Sequence, residues 1–179
     1  MQKTVFRFGL SGAVLMLAAM IILFLLFREN QRWELQQVLG YITIMLSLSF
    51  VHAGIKYWRD NDNAGHLTFK DGLKLGTFIT LLPAVAFGLF TWLKMSVLDP
   101  EFINKYYAYH LAKIRESSTA AEVEQMLQRL ELEKKLFATP FMQFGAMFLT
   151  VLLIGIVVTV ISSLLLQRAR RSIENGINE

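Results

Sequence analysis

Not one of the 179 residues is a cysteine, which excludes disulfides, thiolate nucleophiles and Cys-ligated zinc or iron–sulfur centres and leaves the redox compartment unreadable. Charge is scarce too. Asp, Glu, Lys and Arg make up 18% of the chain against 54% hydrophobic residues, a balance too apolar for an ordinary soluble domain. The shortage is complete inside the long apolar runs, where no Asp, Glu, Lys or Arg occurs. Ion- and proton-coupled transport generally relies on such buried charges. A Gly-rich phosphate loop, a nucleophile elbow and paired carboxylates within a run are all missing. An enzyme is therefore the weakest function class, and no catalytic residue, cofactor or metal is assigned. The net charge of +4 comes from scattered basic residues without a nucleic-acid fold motif, so nucleic acid is not expected as a partner.

What is present is apolar sequence in blocks of membrane-crossing length, roughly 20 residues. Four qualify: Phe8 to Phe27, Leu35 to Ile55, Leu75 to Leu93, and Leu136 to Gln167. They predict helices over about 5–27, 36–58, 69–98 and 141–167. Trp33, Trp58 and Trp92 fall at the run edges, where amphipathic rings favour the headgroup layer. The first run follows Lys3 and Arg7 as a secretory signal would, but it is too long and "FLLFREN" lacks a small-residue cleavage pattern. It reads as a retained helix.

Lysine and arginine are split nine to nine between the two sides. Those on the side of the termini crowd short flanks: Lys3, Arg7, Lys56, Arg59, Lys70, Lys74, Arg168, Arg170 and Arg171. The positive-inside rule weights short flanks, so both termini are expected in the cytoplasm.

The connection from 99 to 140 is long enough for structure of its own. Asp99 before Pro100 has the form of a helix N-cap, and Thr119 with Glu122 that of a capping box. An extracytoplasmic helical hairpin follows, with apolar stripes at Phe102, Tyr106, Tyr109, His110 and Ile114, and at Val123, Met126, Leu127, Leu130 and Phe137. The stripes are expected to pack on each other or on the membrane surface; a docking face for a partner is the sharper alternative.

"DNDNAGHLTFKD", residues 60–71, places Asp60, Asp62, Gly65, Thr68 and Asp71 at ligand positions of a calcium loop. Ala64 replaces an oxygen ligand, however, and Asp71 replaces the usual glutamate. A polar turn followed by Thr68 capping the third helix, with Asp71 completing a capping box, accounts for the same residues. His52, His66 and His110 have no metal-ligand spacing. His52 lies within a run, about one turn from its edge, and is expected to hydrogen-bond a neighbouring helix or a headgroup. The hydroxyls of Thr43, Ser47, Ser49, Thr77, Thr80, Thr159 and Ser162 could bridge helices or line a polar path.

Small residues recur every four positions at Gly72, Gly76, Thr80, Ala84 and Gly88, through Pro83, and again at Gly155, Thr159 and Ser163. Such rows let helix backbones approach closely in lipid. The two rows are expected to be neighbours. Four-residue steps drift by about 40° on a straight helix, so Ala84 and Gly88 are expected to face a different neighbour from Gly72 to Thr80, across a kink at Pro83. The proline also frees the carbonyl of Ile79, which could open onto a cavity.

Several stretches in order, "GYITIMLSLSFVHAGIKYWRD", "GHLTFKDGLKLG", "DPEFINKYYAYHLAKIRESSTAAEVEQML" and "GIVVTVISSLLLQR", together resemble the bacterial membrane family known as domain of unknown function 4199, found mainly in Bacteroidetes. Gly65, Thr68, Phe69, Gly72, Lys74 and Gly76 match its most recognisable element; His52 stands where an apolar residue is expected. The resemblance implies an integral inner-membrane protein with four helices and brings no activity, cofactor or site residue. The expected fold is an all-α membrane protein with an extramembrane helical hairpin between the third and fourth crossings. The expected role is non-enzymatic: an assembly, scaffolding or regulatory component contacting the lipid bilayer and a membrane protein partner or further copies of itself. A small oligomeric transporter or channel is the alternative.

Overall fold

The computed structural model describes residues 1–28, 32–117, 120–136 and 139–167. These residues form helices: α1 (Gln2–Leu26), α2 (Trp33–Tyr57), α3 (Phe69–Leu93), α4 (Phe102–Ser117), α5 (Ala120–Leu136) and α6 (Pro140–Leu166). Four of them, α1, α2, α3 and α6, are long and apolar enough to cross a membrane. At 25 to 27 residues each they measure about 37–40 Å, enough for a hydrocarbon core of about 30 Å.

Local sequence sets their starts. Thr68 Oγ1 accepts from the Asp71 amide at 3.2 Å to begin α3. Thr139 does the same for Met142 at 3.3 Å, with Pro140 in the first turn of α6, where a missing N–H costs nothing. Two helices overrun into π-turns, Trp58–Asp62 after α2 and Lys94–Leu98 after α3. The first is closed by Gly65 N–H donating to Arg59 O at 2.8 Å, with Ala64 and Gly65 at φ +49° and +78°. This is the left-handed C-terminal stop in which glycine is favoured.

α3 and α6 run antiparallel along each other, since Gly72 meets Ser163 at one end and Gly88 meets Phe144 towards the other. α1 lies on α2 and α3, and α2 also touches α6. The core is filled by Met16, Leu48, Val51, Ile55, Leu75, Ile79 and Val151, all fully buried. The outside is as apolar as the inside. Phe6, Val14, Ile22, Leu25, Met45, Leu89, Leu153 and Leu165 are among many large hydrophobic side chains left exposed along the four long helices. A continuous apolar surface of this extent is unfavourable in water and is what a bilayer requires.

α1 starts, and α6 ends, at what is called here the N-terminal end of the bundle. α4 and α5 stand at the other, the α4 end.

Candidate functional site

At the N-terminal end the small residues interlock. A side-chain carbon built on Gly76 would stand 2.5 Å from Thr159 Cγ2, and one on Gly72 2.6 Å from Ser163 Oγ. A carbon on Gly155 would collide with Thr80. Each glycine thus receives a hydroxyl-bearing side chain of the facing helix. Thr80 Oγ1 donates to Gly76 O at 2.9 Å within its own helix, whereas Thr159 Oγ1 and Ser163 Oγ are buried without a conventional partner. They rest on the backbone of Gly76 and Gly72, where Cα–H groups offer a weak contact.

The expectation that Gly88 turns to a different neighbour is corrected. Its missing side chain faces α6 as well, 2.8 Å from Phe144 Cδ2 and 3.1 Å from Phe144 O. The 40° drift applies to a straight helix beside a straight partner; the large Phe144 ring reaches across to the displaced row. Ala84 is fully buried.

Pro83 lies inside a continuous α3, and the Ile79 carbonyl it frees does not open onto a cavity. That oxygen is covered by α1, 3.2 Å from where a side-chain carbon of Gly9 would be. A glycine on the facing helix lets the backbone lie over the orphaned acceptor. The hydroxyls divide similarly: Thr43, Ser49 and Thr77 donate to carbonyls of their own helices. Ser47 donates across to Gly12 O at 2.8 Å. His52 Nδ1 lies 3.1 Å from Ser162 Oγ, joining α2 to α6.

The aspartates of residues 60–71 point to separate partners. Asp60 pairs with Arg59 at 2.6 Å, Asp62 accepts from Thr4 at 2.7 Å, and Asp71 accepts from the Thr68 hydroxyl at 2.6 Å. Asp71 therefore holds the cap's own hydroxyl. Among the described residues no cluster of three His, Cys, Asp or Glu side chains converges on a point. Arg59, buried at 7% exposure, also reaches Leu166 O at 3.4 Å, placing a cation on the last carbonyls of α6.

The α4 end is built from aromatic rings. Trp33 does not face headgroups: it is 8% exposed, with Phe102, Tyr106 and Tyr109 of α4 at ring-centroid distances of 5.3, 5.6 and 6.1 Å. The α4 stripe gives it a better apolar environment than the interface would. Lys113 binds Glu34 across the same contact, and the carboxylate holds the exposed Lys113 ammonium above the ordinary lysine range. Asp99 is a correction. Its carboxylate binds Lys105 at 2.9 Å, a full charge outcompeting a backbone amide, while its carbonyl accepts from Phe102 N–H at 3.0 Å to close the turn before α4. Thr119 and the Glu122 side chain lie outside the described residues.

Beneath α4 a cavity of about 520 Å³ opens between the ends of α1, α2, α3 and α6. Its wall carries Trp33, Gly40, Ile44, Phe87, Phe90 and Tyr107, with Lys94 at the head of the π-turn. Lys94 Nζ sits 3.7 Å from the centre of the Phe102 ring, a cation–π contact. The sequence reading missed this chamber because no local motif marks it. It also missed Gly9 and Gly12 of α1, although their spacing with Ala13 was a usable signal.

Compared with known families, residues 7–168 match the family model described as "Protein of unknown function (DUF4199)". No curated protein matches, and no solved structure matches.

Proposed function

The chain belongs to the DUF4199 family, and from that premise we propose that it is a multi-pass inner-membrane protein without catalytic activity that acts as an assembly or regulatory component through its α4–α5 unit. On this reading α1, α2, α3 and α6 cross the bilayer with both termini cytoplasmic, supported by the basic residues crowding the short flanks on that side. α4 and α5 then form a hairpin on the opposite face.

The observation that carries the proposal is the difference between the two polar helices. α4 is tied down through Trp33, packed on Phe102 and Tyr106, whereas α5 holds Leu132 at 61% exposure. One helix anchors, and the other offers an apolar side chain to a membrane protein partner. The Ile79 carbonyl, covered by Gly9, lends no support to a conducting path.

A photo-crosslinking residue at Leu132 tests this in native membranes, with one at the exposed Leu153 as the lipid-facing control. A distinct partner captured from Leu132 alone is expected, and a ladder of self-adducts would name a second copy instead. Capture from neither position, or equally from both, would remove the proposal.

A further inference from the structure

The chamber at the α4 end has the composition of a binding site rather than of a packing defect. Apolar voids in a bundle close by repacking unless something holds them open. Here the α4 aromatic stripe, fixed on Trp33, spans the opening. At about 520 Å³ the space lies within the range of sites that enclose small organic ligands, about 300–1,000 Å³. It runs along α2 from Glu34 to Ile44, a depth of about 15 Å at 1.5 Å per residue. The shape is long and the deep part is lined by Ile44, Phe87 and Met147.

Charge sets the chemistry of the mouth. Four charged groups line the wall, Arg28, Glu34, Lys94 and Asp99. Asp99 is paired with Lys105 and Glu34 with Lys113, and Arg28 is exposed while Lys94 is half-buried. Lys94 takes part in no ion pair among the described residues; its contact is the Phe102 ring. The carboxylate near it, Asp99, is held by Lys105. A half-buried ammonium left so poorly paired beside an apolar chamber is costly, and a ligand carrying an anion at one end and hydrocarbon at the other removes that cost. Gly40 supplies the second signal. It lies on the inward stripe of α2 with Trp33, Gln36, Ile44 and Ser47, yet a side-chain carbon there would meet nothing within 4 Å. A glycine that no neighbouring atom requires leaves the chamber wide in the middle.

We propose that this chamber binds a single-chain anionic amphiphile, its acyl chain between α2, α3 and α6 and its carboxylate or phosphate on Lys94. The site goes beyond the partner-binding role proposed above and stands separately from it, since failure of crosslinking at Leu132 leaves ligand binding unaffected, and the reverse.

The test uses the full chain in phosphatidylcholine nanodiscs, with Trp58→Phe and Trp92→Phe so that Trp33 alone reports. The quenchers are ω-bromododecanoate, ω-bromododecyl phosphate and ω-bromododecyltrimethylammonium. Saturable quenching by the two anions is expected, tighter than by the cation by roughly tenfold or more. Lys94→Gln should abolish that preference. Gly40→Phe should abolish saturable quenching without lowering the melting temperature; if it does lower it, Gly40→Leu replaces it. A carboxylate preferred over the phosphate points to free fatty acid, and the reverse order to a phosphate-headed lipid. Quenching that grows linearly without saturation, is equal for cation and anion, or is unchanged in both the Lys94 and Gly40 variants would overturn the proposal.

Discussion

At the N-terminal end of the bundle, Gly72, Gly76 and Gly155 bring α3 and α6 so close that any added carbon collides with Ser163, Thr159 or Thr80. Towards the α4 end, Gly40 and Gly145 sit on equally apolar helices with nothing within 4 Å of the same added carbon. The buried residues of α1 show the same gradient: Thr4, Gly9, Gly12, Ala13 and Met16 all lie in its first two thirds. Both ends use glycine: at the N-terminal end it closes a gap, and towards the α4 end Gly88 closes one against Phe144 while Gly40 and Gly145 keep one open. A glycine's meaning thus depends on the atom it faces, which spacing alone does not reveal.

Breaking the tight half should have the largest effect. Gly155→Leu or Gly76→Leu is expected to lower bundle stability by about 3 kcal/mol or more, because a β-branched threonine on the facing helix cannot swing aside. A detergent melt reads it, and an unchanged midpoint would deny that the seam is tight. Next, Trp33→Ala should release α4, with a loss of up to about 3 kcal/mol in its docking. Limited proteolysis should cut α4 while the melt of the long helices holds; if both give way together, the two ends are one cooperative unit.

Gly88→Leu is expected to cost less, about 1–2 kcal/mol. The two contacts under 3 Å are to the half-buried Phe144 ring, which can rotate away into an imperfect rotamer, and the Phe144 carbonyl at 3.1 Å needs to give by only a few tenths of an ångström. A loss equal to that of Gly76→Leu would erase the gradient. Gly40→Ala should reverse the sign, raising stability by up to about 1 kcal/mol through helix propensity with no steric penalty.

Smallest of all is Lys113→Met, for which no measurable shift in the melt is expected, because the pair with Glu34 is fully exposed. The sign with pH follows from the raised lysine value. Any contribution is present below the ordinary lysine range and is lost only as pH rises through the higher folded value. The difference between the melts of the unaltered chain and Lys113→Met should therefore stay flat between about pH 6 and pH 9.

The apolar helices were legible because a bilayer imposes a length that composition alone satisfies, and the family resemblance read from the sequence agrees with the family match over residues 7–168. The α3–α6 seam could be read in part: Gly72, Gly76, Gly155, Thr159 and Ser163 announce small surfaces. The neighbour of Gly88 could not be read, since it depends on how far one phenylalanine reaches. Nor could the burial of Trp33. An indole at a run edge looks the same whether headgroups or another helix receive it, and α4, which does so here, lies some 70 residues further along. The chamber had no local signature, because its wall is drawn from five helices.

The glycine over the Ile79 carbonyl also carries a consequence for biosynthesis. An acceptor released by a proline would be stranded in hydrocarbon at a cost of several kcal/mol if α3 entered the bilayer alone. Gly9 precedes Ile79 by 70 residues, about 4–14 s of translation at 5–20 residues per second. The helix that shields the carbonyl is made first and is already waiting when the broken turn arrives. A circular permutant that delivers α1 last would present the translocon with the same contacts in the wrong order. Its yield would report how much the chain depends on that timing.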